Sequence, residues 1–146
     1  MTPDPIADLE AELVDVWRRG TIRTRERAHR IHPKLDPACY PLLMLLTRQD
    51  EAVPMAVLLT QLVVEKSTLT RQIDALTRLG LARRTPDPED ARARLVSLTE
   101  EGRSLLSEQR AEAVAAWRRE LSQWDADDLR TLTSLLHRLG SSVDRG

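Results

Sequence analysis

Lys66-Ser67-Thr68-Leu69-Thr70-Arg71-Gln72-Ile73-Asp74-Ala75-Leu76 is the stretch whose reading decides the fold. Leu69, Ile73 and Leu76 recur at helical spacing, and Leu79 extends the stripe. Ser67, Arg71, Asp74 and Arg78 fall on the opposite face, with Thr68 and Thr70 on the flanks. A helix over 66–79 is expected, apolar on one side and bearing hydroxyls and guanidinium on the other. Gly80 stands just past its end, where a positive φ is easily adopted.

Upstream, Pro54 opens a short helix over about 55–62 with Val57, Leu58 and Leu62 apolar, and a turn over 63–65 follows. Downstream, Leu81–Thr85 and Arg94–Leu98 read as two short strands around the turn cluster Pro86-Asp87-Pro88-Glu89-Asp90. Helix, turn, polar helix and arginine-bearing β-hairpin in this order spell a winged helix-turn-helix, spanning Val53 to Gly102.

The flanks are helical. Asp4-Pro5 couples a capping side chain to a proline at the first helical position. Ile6, Leu9, Leu13 and Trp17 follow as a stripe that Val16 widens. Gly20 weakens the middle of this helix by about 1 kcal/mol relative to alanine. The second half carries Arg18, Arg19, Arg23, Arg25, Arg27 and Arg30, either a solvated face or one that meets phosphate or a ligand. His32-Pro33 ends it, because the residue before proline avoids the α region. Asp36-Pro37 repeats the start signal for a central apolar helix with Leu42, Leu43, Leu45 and Leu46, whose first turn Pro41 bends.

After the hairpin, Thr99 caps a helix that Glu100 and Glu101 favour at its positive end. It is expected to run to about Trp124. Asp125 and Asp128 then start a last helix striped by Leu129, Leu132, Leu135, Leu136 and Leu139, with Gly140 at its end. The terminal stripes suit either a monomer core or a dimer interface.

The fold class expected is mainly α: one domain over 1–146, with a winged-helix lobe over 36–102 carrying a two-stranded wing, and a helical dimerisation lobe over 5–35 and 103–143. With no Phe, one Tyr and three Trp, the core must be built from Leu, Val, Ile and Ala. No apolar run is long enough to span a membrane, and the N-terminus lacks a signal-peptide pattern. The single cysteine, Cys39, can form no internal disulfide, which fits a reducing cytoplasm.

The net charge is −1, but its distribution is uneven. Lys66, Arg71, Arg78, Arg83, Arg84, Arg92 and Arg94 crowd the middle, while acids collect at the N-terminus and after Glu100. An α-helix fits the DNA major groove, where arginine pairs bidentately with guanine and hydroxyls bond bases or phosphates. A wing arginine can enter a narrow minor groove. Each residue also has a plain alternative: Ser67 and Thr68 as favourable helix-start residues, Arg71 with Asp74 as a surface ion pair.

Ser67-Thr68-Leu69-Thr70-Arg71-x-Ile73-Asp74-x-Leu76-x-x-Leu79-Gly80-Leu81-x-Arg83 resembles the second helix and the approach to the wing of the MarR family of winged-helix transcriptional regulators. Asp87-Pro88-Glu89-Asp90-Ala91-Arg92-Ala93-x-Leu95-Val96-x-Leu98-Thr99-x-x-Gly102 is similar to that family's wing signature. The resemblance is strong over about 58–102. It implies an obligate homodimer whose first and last helices interlock, and two recognition helices in successive major grooves of a pseudo-palindrome. It also implies double-stranded DNA as the partner, repression, and in many members a small-molecule or redox trigger. By position, Ser67, Thr68, Thr70 and Arg71 are implied groove or phosphate contacts and Arg92 the wing arginine; Lys66, Arg83, Arg84 and Arg94 complete the expected DNA-contact set. Asp74 and Asp90 are implied to orient arginines. Two departures stand out: Ala91 where many members have arginine, and Val63 where glycine is common in the turn.

Trp17, His32 and Tyr40 are candidates for an effector pocket, with core packing as the alternative. His29, His32 and His137 with Cys39 lack metal-site spacing, and no cofactor is expected. No paired carboxylates, nucleophile triad or phosphate loop appears, so no catalysis is expected. Two other readings remain: a protein-interaction module with a winged-helix shape and no DNA readout, and a thiol sensor built on Cys39.

Overall fold

A computed structural model describes residues 3–144. The elements run α1 (Pro5–Ile31), a 3-10 turn (Pro37–Cys39), α2 (Tyr40–Thr47), β1 (Val53–Pro54), α3 (Met55–Leu62), α4 (Lys66–Arg78), β2 (Ala82–Pro86), β3 (Arg94–Leu98), α5 (Glu100–Glu120) and α6 (Ala126–Val143). They form two compact units, one up to Arg110 and one from Ala111.

In the first unit, Asp4 caps α1 by accepting the Ile6 N–H at 3.0 Å, and His32, in extended backbone before Pro33, ends it. Asp36 accepts the Ala38 N–H at 2.9 Å, so the second start signal yields a 3-10 turn before α2. Pro41 falls in the first turn of α2, where its missing donor costs nothing. Leu42, Leu43 and Leu46 of α2 are buried with Leu58, Leu69, Ile73, Leu76, Leu81, Val96, Leu98 and Leu106. The core is aliphatic, as the absence of Phe demands.

The sheet has three strands in the order β1-β3-β2, one more than the expected hairpin. Val53 precedes a proline and is pushed to extended backbone, where it pairs with Val96; Pro54, lacking an N–H, sits at the edge opposite Leu95 and immediately precedes α3. β2 and β3 pair antiparallel from Ala82 with Leu98 to Pro86 with Arg94.

The Leu-Thr-x-x-Gly run has a physical cause. Thr99 N–H donates to the Leu81 carbonyl at 3.0 Å, Thr99 Oγ1 donates to the Gly80 carbonyl at 2.5 Å, and Gly102 N–H donates to Thr99 Oγ1 at 3.0 Å. This braid presses the first turn of α5 onto Leu81. A Cβ on Gly102 would lie 2.2 Å from the Leu81 carbonyl oxygen.

The second unit holds the end of α5 and all of α6. α5 stops at Glu120, earlier than Trp124, and a turn leads to Asp125, which caps α6 by accepting the Asp127 N–H at 3.1 Å. Gly140 does not end α6, which continues to Val143; its carbonyl accepts the Asp144 N–H. Gly140 has open space around it, so the helix runs through. No residue of α6 is buried, and Leu132, Leu135 and Leu136 stay exposed. Within the first unit, Ile6, Leu9, Val14 and Trp17 of α1 are exposed as well. No described helix is long and apolar enough to cross a membrane.

Candidate nucleic-acid interface

α4 buries Leu69, Ile73 and Leu76 and leaves Lys66, Ser67, Arg71 and Arg78 exposed. Ser67, Arg71, Asp74 and Arg78 share one face by their spacing. Val63 sets the angle at which α4 leaves α3. It adopts φ 52° and ψ 51°, a left-handed conformation rare for a β-branched residue, with its side chain 87% exposed. The turn thus holds a valine in a conformation that glycine adopts without strain.

Several polar groups around α4 are already engaged. Thr70 Oγ1 donates to the Lys66 carbonyl at 2.9 Å. Gln72 Nε2 donates to the Ala38 carbonyl at 3.3 Å, tying α4 to the 3-10 turn. Asp74 forms an ion pair with Arg84 of β2 rather than with Arg71. β2 alternates, so Ala82 and Arg84 lie on the core side opposite buried Leu98 and Val96. Arg83 lies on the other sheet face, opposite Ser97.

The wing loop is shaped by two aspartates. Asp87 accepts the Glu89 N–H at 2.9 Å and Asp90 accepts the Arg92 N–H at 3.0 Å. Asp90 therefore orients Arg92 through its backbone, not its guanidinium. Arg94 Nη1 donates to the carbonyls of Ala91 and Ala93 at 3.4 and 3.2 Å, bracing the loop from within. Arg92 is exposed and forms no ion pair among the described residues. Within the expected contact set, Lys66, Ser67, Arg71 and Arg92 are exposed, Thr68 and Thr70 are half-buried, Arg84 pairs with Asp74, Arg94 braces the wing loop and Arg83 lies on the other sheet face. Arg78, outside the expected contact set, is exposed on the same face as Arg71.

This arrangement is a helix with a polar outward face beside a wing whose tip presents one guanidinium. The MarR family profile matches residues 34–93. The chain is 33% identical over 120 residues to the organic hydroperoxide resistance transcriptional regulator of Bacillus subtilis, covering 80% of each protein. The chain belongs to the MarR family. It is a DNA-binding transcriptional regulator by that membership, and its homologues are regulators rather than enzymes. Its fold matches a MarR transcriptional regulator from Methanosarcina mazei with TM-score 0.78 at 24% identity, covering 95% of this chain and 98% of that one. It also matches the PcaV regulator of Streptomyces coelicolor, solved with its natural ligand, with TM-score 0.69 at 18% identity, covering 98% and 99%.

The effector and sensor candidates fare differently in this MarR-family chain. Trp17 is 76% exposed on α1 and stands about 22 Å along the helix axis from its end at His32. Within one chain, Trp17 and His32 therefore stand far apart along α1. His32 Nδ1 accepts the Lys34 N–H at 3.0 Å and shapes the turn after α1. Cys39 is only 2% exposed, and burial, with the Asp36 carboxylate adding to it, pushes its thiol up to about 11. Such a thiol is protonated at neutral pH and shielded, the opposite of a reactive sensor. Among the described residues no cluster of His, Cys, Asp and Glu could hold a metal ion.

Proposed function

We propose that the protein is a homodimeric repressor of a pseudo-palindromic operator. The observation that carries this is the arrangement around α4: Ser67 and Arg71 are exposed on one face, Arg92 is exposed at the wing, and Gln72 and Asp74 tie α4 to its neighbours. Dimerisation is supported by the exposed apolar residues of α1 and α6, which water would otherwise solvate at a cost of about 25 cal/mol per Å². A twin reading head then spaces two recognition helices about one DNA turn apart. A mobility-shift titration with DNA from upstream of its own gene tests the reading. Saturable binding by a dimer supports it, and absence of binding at moderate salt overturns it. Raised reporter expression on deleting the gene marks repression; lowered expression marks activation.

Release by a small molecule fits the ligand-bound PcaV relative. Peroxide release, suggested by the name of the Bacillus subtilis relative, is disfavoured by the buried, protonated Cys39. A protein-interaction module is the second reading, favoured by Ala91 in the wing and the net charge of −1.

A further inference from the structure

We infer that Arg30 and Lys34, where α1 gives way to the 3-10 turn, form a second phosphate-binding site on the flank of α4 away from the wing. The inference rests on the proposed DNA-binding reading and deepens it. The outward face of α4 has two edges. At about 100° per residue, Ser67, Arg71 and Arg78 fall between Asp74, about 60° to one side of Arg71, and Gln72, about 100° to the other. Asp74 ties one edge to Arg84 of β2, the strand that leads into the wing. Gln72 Nε2 ties the other edge to the Ala38 carbonyl of the 3-10 turn. A duplex lying against this face is flanked by the wing on one side and by the 3-10 turn on the other.

Arg92 supplies a cation on the wing side, and Arg30 and Lys34 supply two on the opposite side. Lys34 stands four residues before Ala38, in a turn closed twice. Its N–H donates to His32 Nδ1 at 3.0 Å, and the Leu35 N–H donates to the His32 carbonyl at 3.0 Å. Arg30 lies in the last turn of α1, which packs against the 3-10 turn. Both side chains are exposed, and neither forms an ion pair among the described residues. Glu26 stands four residues before Arg30, a favourable spacing on a helix, yet the two do not pair. Asp36, the nearest carboxylate along the chain, accepts the Ala38 N–H at 2.9 Å. Two unpaired cations beside a groove-facing helix match the phosphate backbone, which carries one charge per about 1.7 Å of duplex. Ammonium and guanidinium both suit phosphate, and such contacts position the protein without reading sequence.

Fluorescence anisotropy with a duplex from upstream of the gene, over a salt series, tests this. Arg30→Gln and Lys34→Gln should each weaken binding about three- to tenfold near physiological salt and make log K against log salt shallower by about one. Lys34→Arg keeps the charge and should bind as wild type does. Arg48→Gln removes the same charge from the far end of α2, about 12 Å from its start, and should change neither affinity nor slope. Thermal melting of each variant shows that it is folded. An Arg30 that only complements the α1 dipole would lower Tm and leave the slope alone. An unchanged slope for either Arg30→Gln or Lys34→Gln, or an equal loss of slope for Arg48→Gln, overturns the inference and leaves DNA binding itself in place. Failure of the wild type to bind the duplex overturns the underlying reading as well.

Discussion

Gly102→Ala should destabilise the first unit by about 2–4 kcal/mol, although alanine is the better helix former. The added Cβ would lie 2.2 Å from the Leu81 carbonyl oxygen, 2.9 Å from its carbon and 3.0 Å from Leu81 Cα. All three are backbone atoms, so no side-chain rotation relieves the clash; α5 and the root of β2 must part by about 1 Å to restore ordinary contact. That movement loosens the bond from Thr99 N–H to the Leu81 carbonyl and the one from Thr99 Oγ1 to the Gly80 carbonyl. Each costs about 1 kcal/mol, and overpacking strain adds about 1–3 kcal/mol. Helix propensity returns at most about 1 kcal/mol. Gly20 is the control: it also lies within a helix, but nothing stands within 4 Å of its Cβ position, so Gly20→Ala should stabilise by about 0.5–1 kcal/mol. Urea unfolding with fixed m-values measures both, and a Tm lower by about 10 °C should accompany Gly102→Ala. Equal stability of Gly102→Ala and wild type would refute the close approach of α5 to Leu81.

Val63→Gly should raise stability by about 0.5–1 kcal/mol, because release from left-handed strain of about 1–2 kcal/mol exceeds glycine's added unfolded-state entropy; a lower urea midpoint contradicts this. Asp74→Asn should cost under about 1 kcal/mol, since the pair with Arg84 is partly exposed, yet steepen the salt dependence of DNA binding by freeing Arg84; an unchanged slope counts against that pairing. Cys39 binds its proton more tightly folded, at about 11, than at its ordinary 9.0, so the folded state holds more protons in that window. Stability should therefore fall as pH rises from about 9 to 11, and Cys39→Ala should flatten this loss; rapid thiol labelling of the native protein at pH 7 would contradict the burial.

Much of the fold was legible because local chemistry and burial agree. Asp4-Pro5, Thr99 and Asp125 announce helices that form where they stand, and the stripe Leu69, Ile73, Leu76 is the face that is buried. β1 was missed because a two-residue strand has no periodicity; its partner Val96 lies far along the chain. Gly140 misled because glycine permits a helix end without imposing one. The candidate site was legible as residue types but not as assignments. No spacing rule says that Asp74 chooses Arg84 over Arg71, or that Arg94 turns back onto its own loop, because those choices depend on how β2 and the wing pack. Strand alternation alone could have separated Arg83 from Arg84.

The slope of DNA affinity against salt tests the central claim most directly. Titrating a labelled operator duplex by fluorescence anisotropy at several salt concentrations gives log K against log salt. If the α4 face and the wing tip meet phosphates, the line falls steeply, by roughly one unit of slope for each phosphate neutralised. A flat line would place the interaction on apolar surface and contradict recognition of DNA by this face.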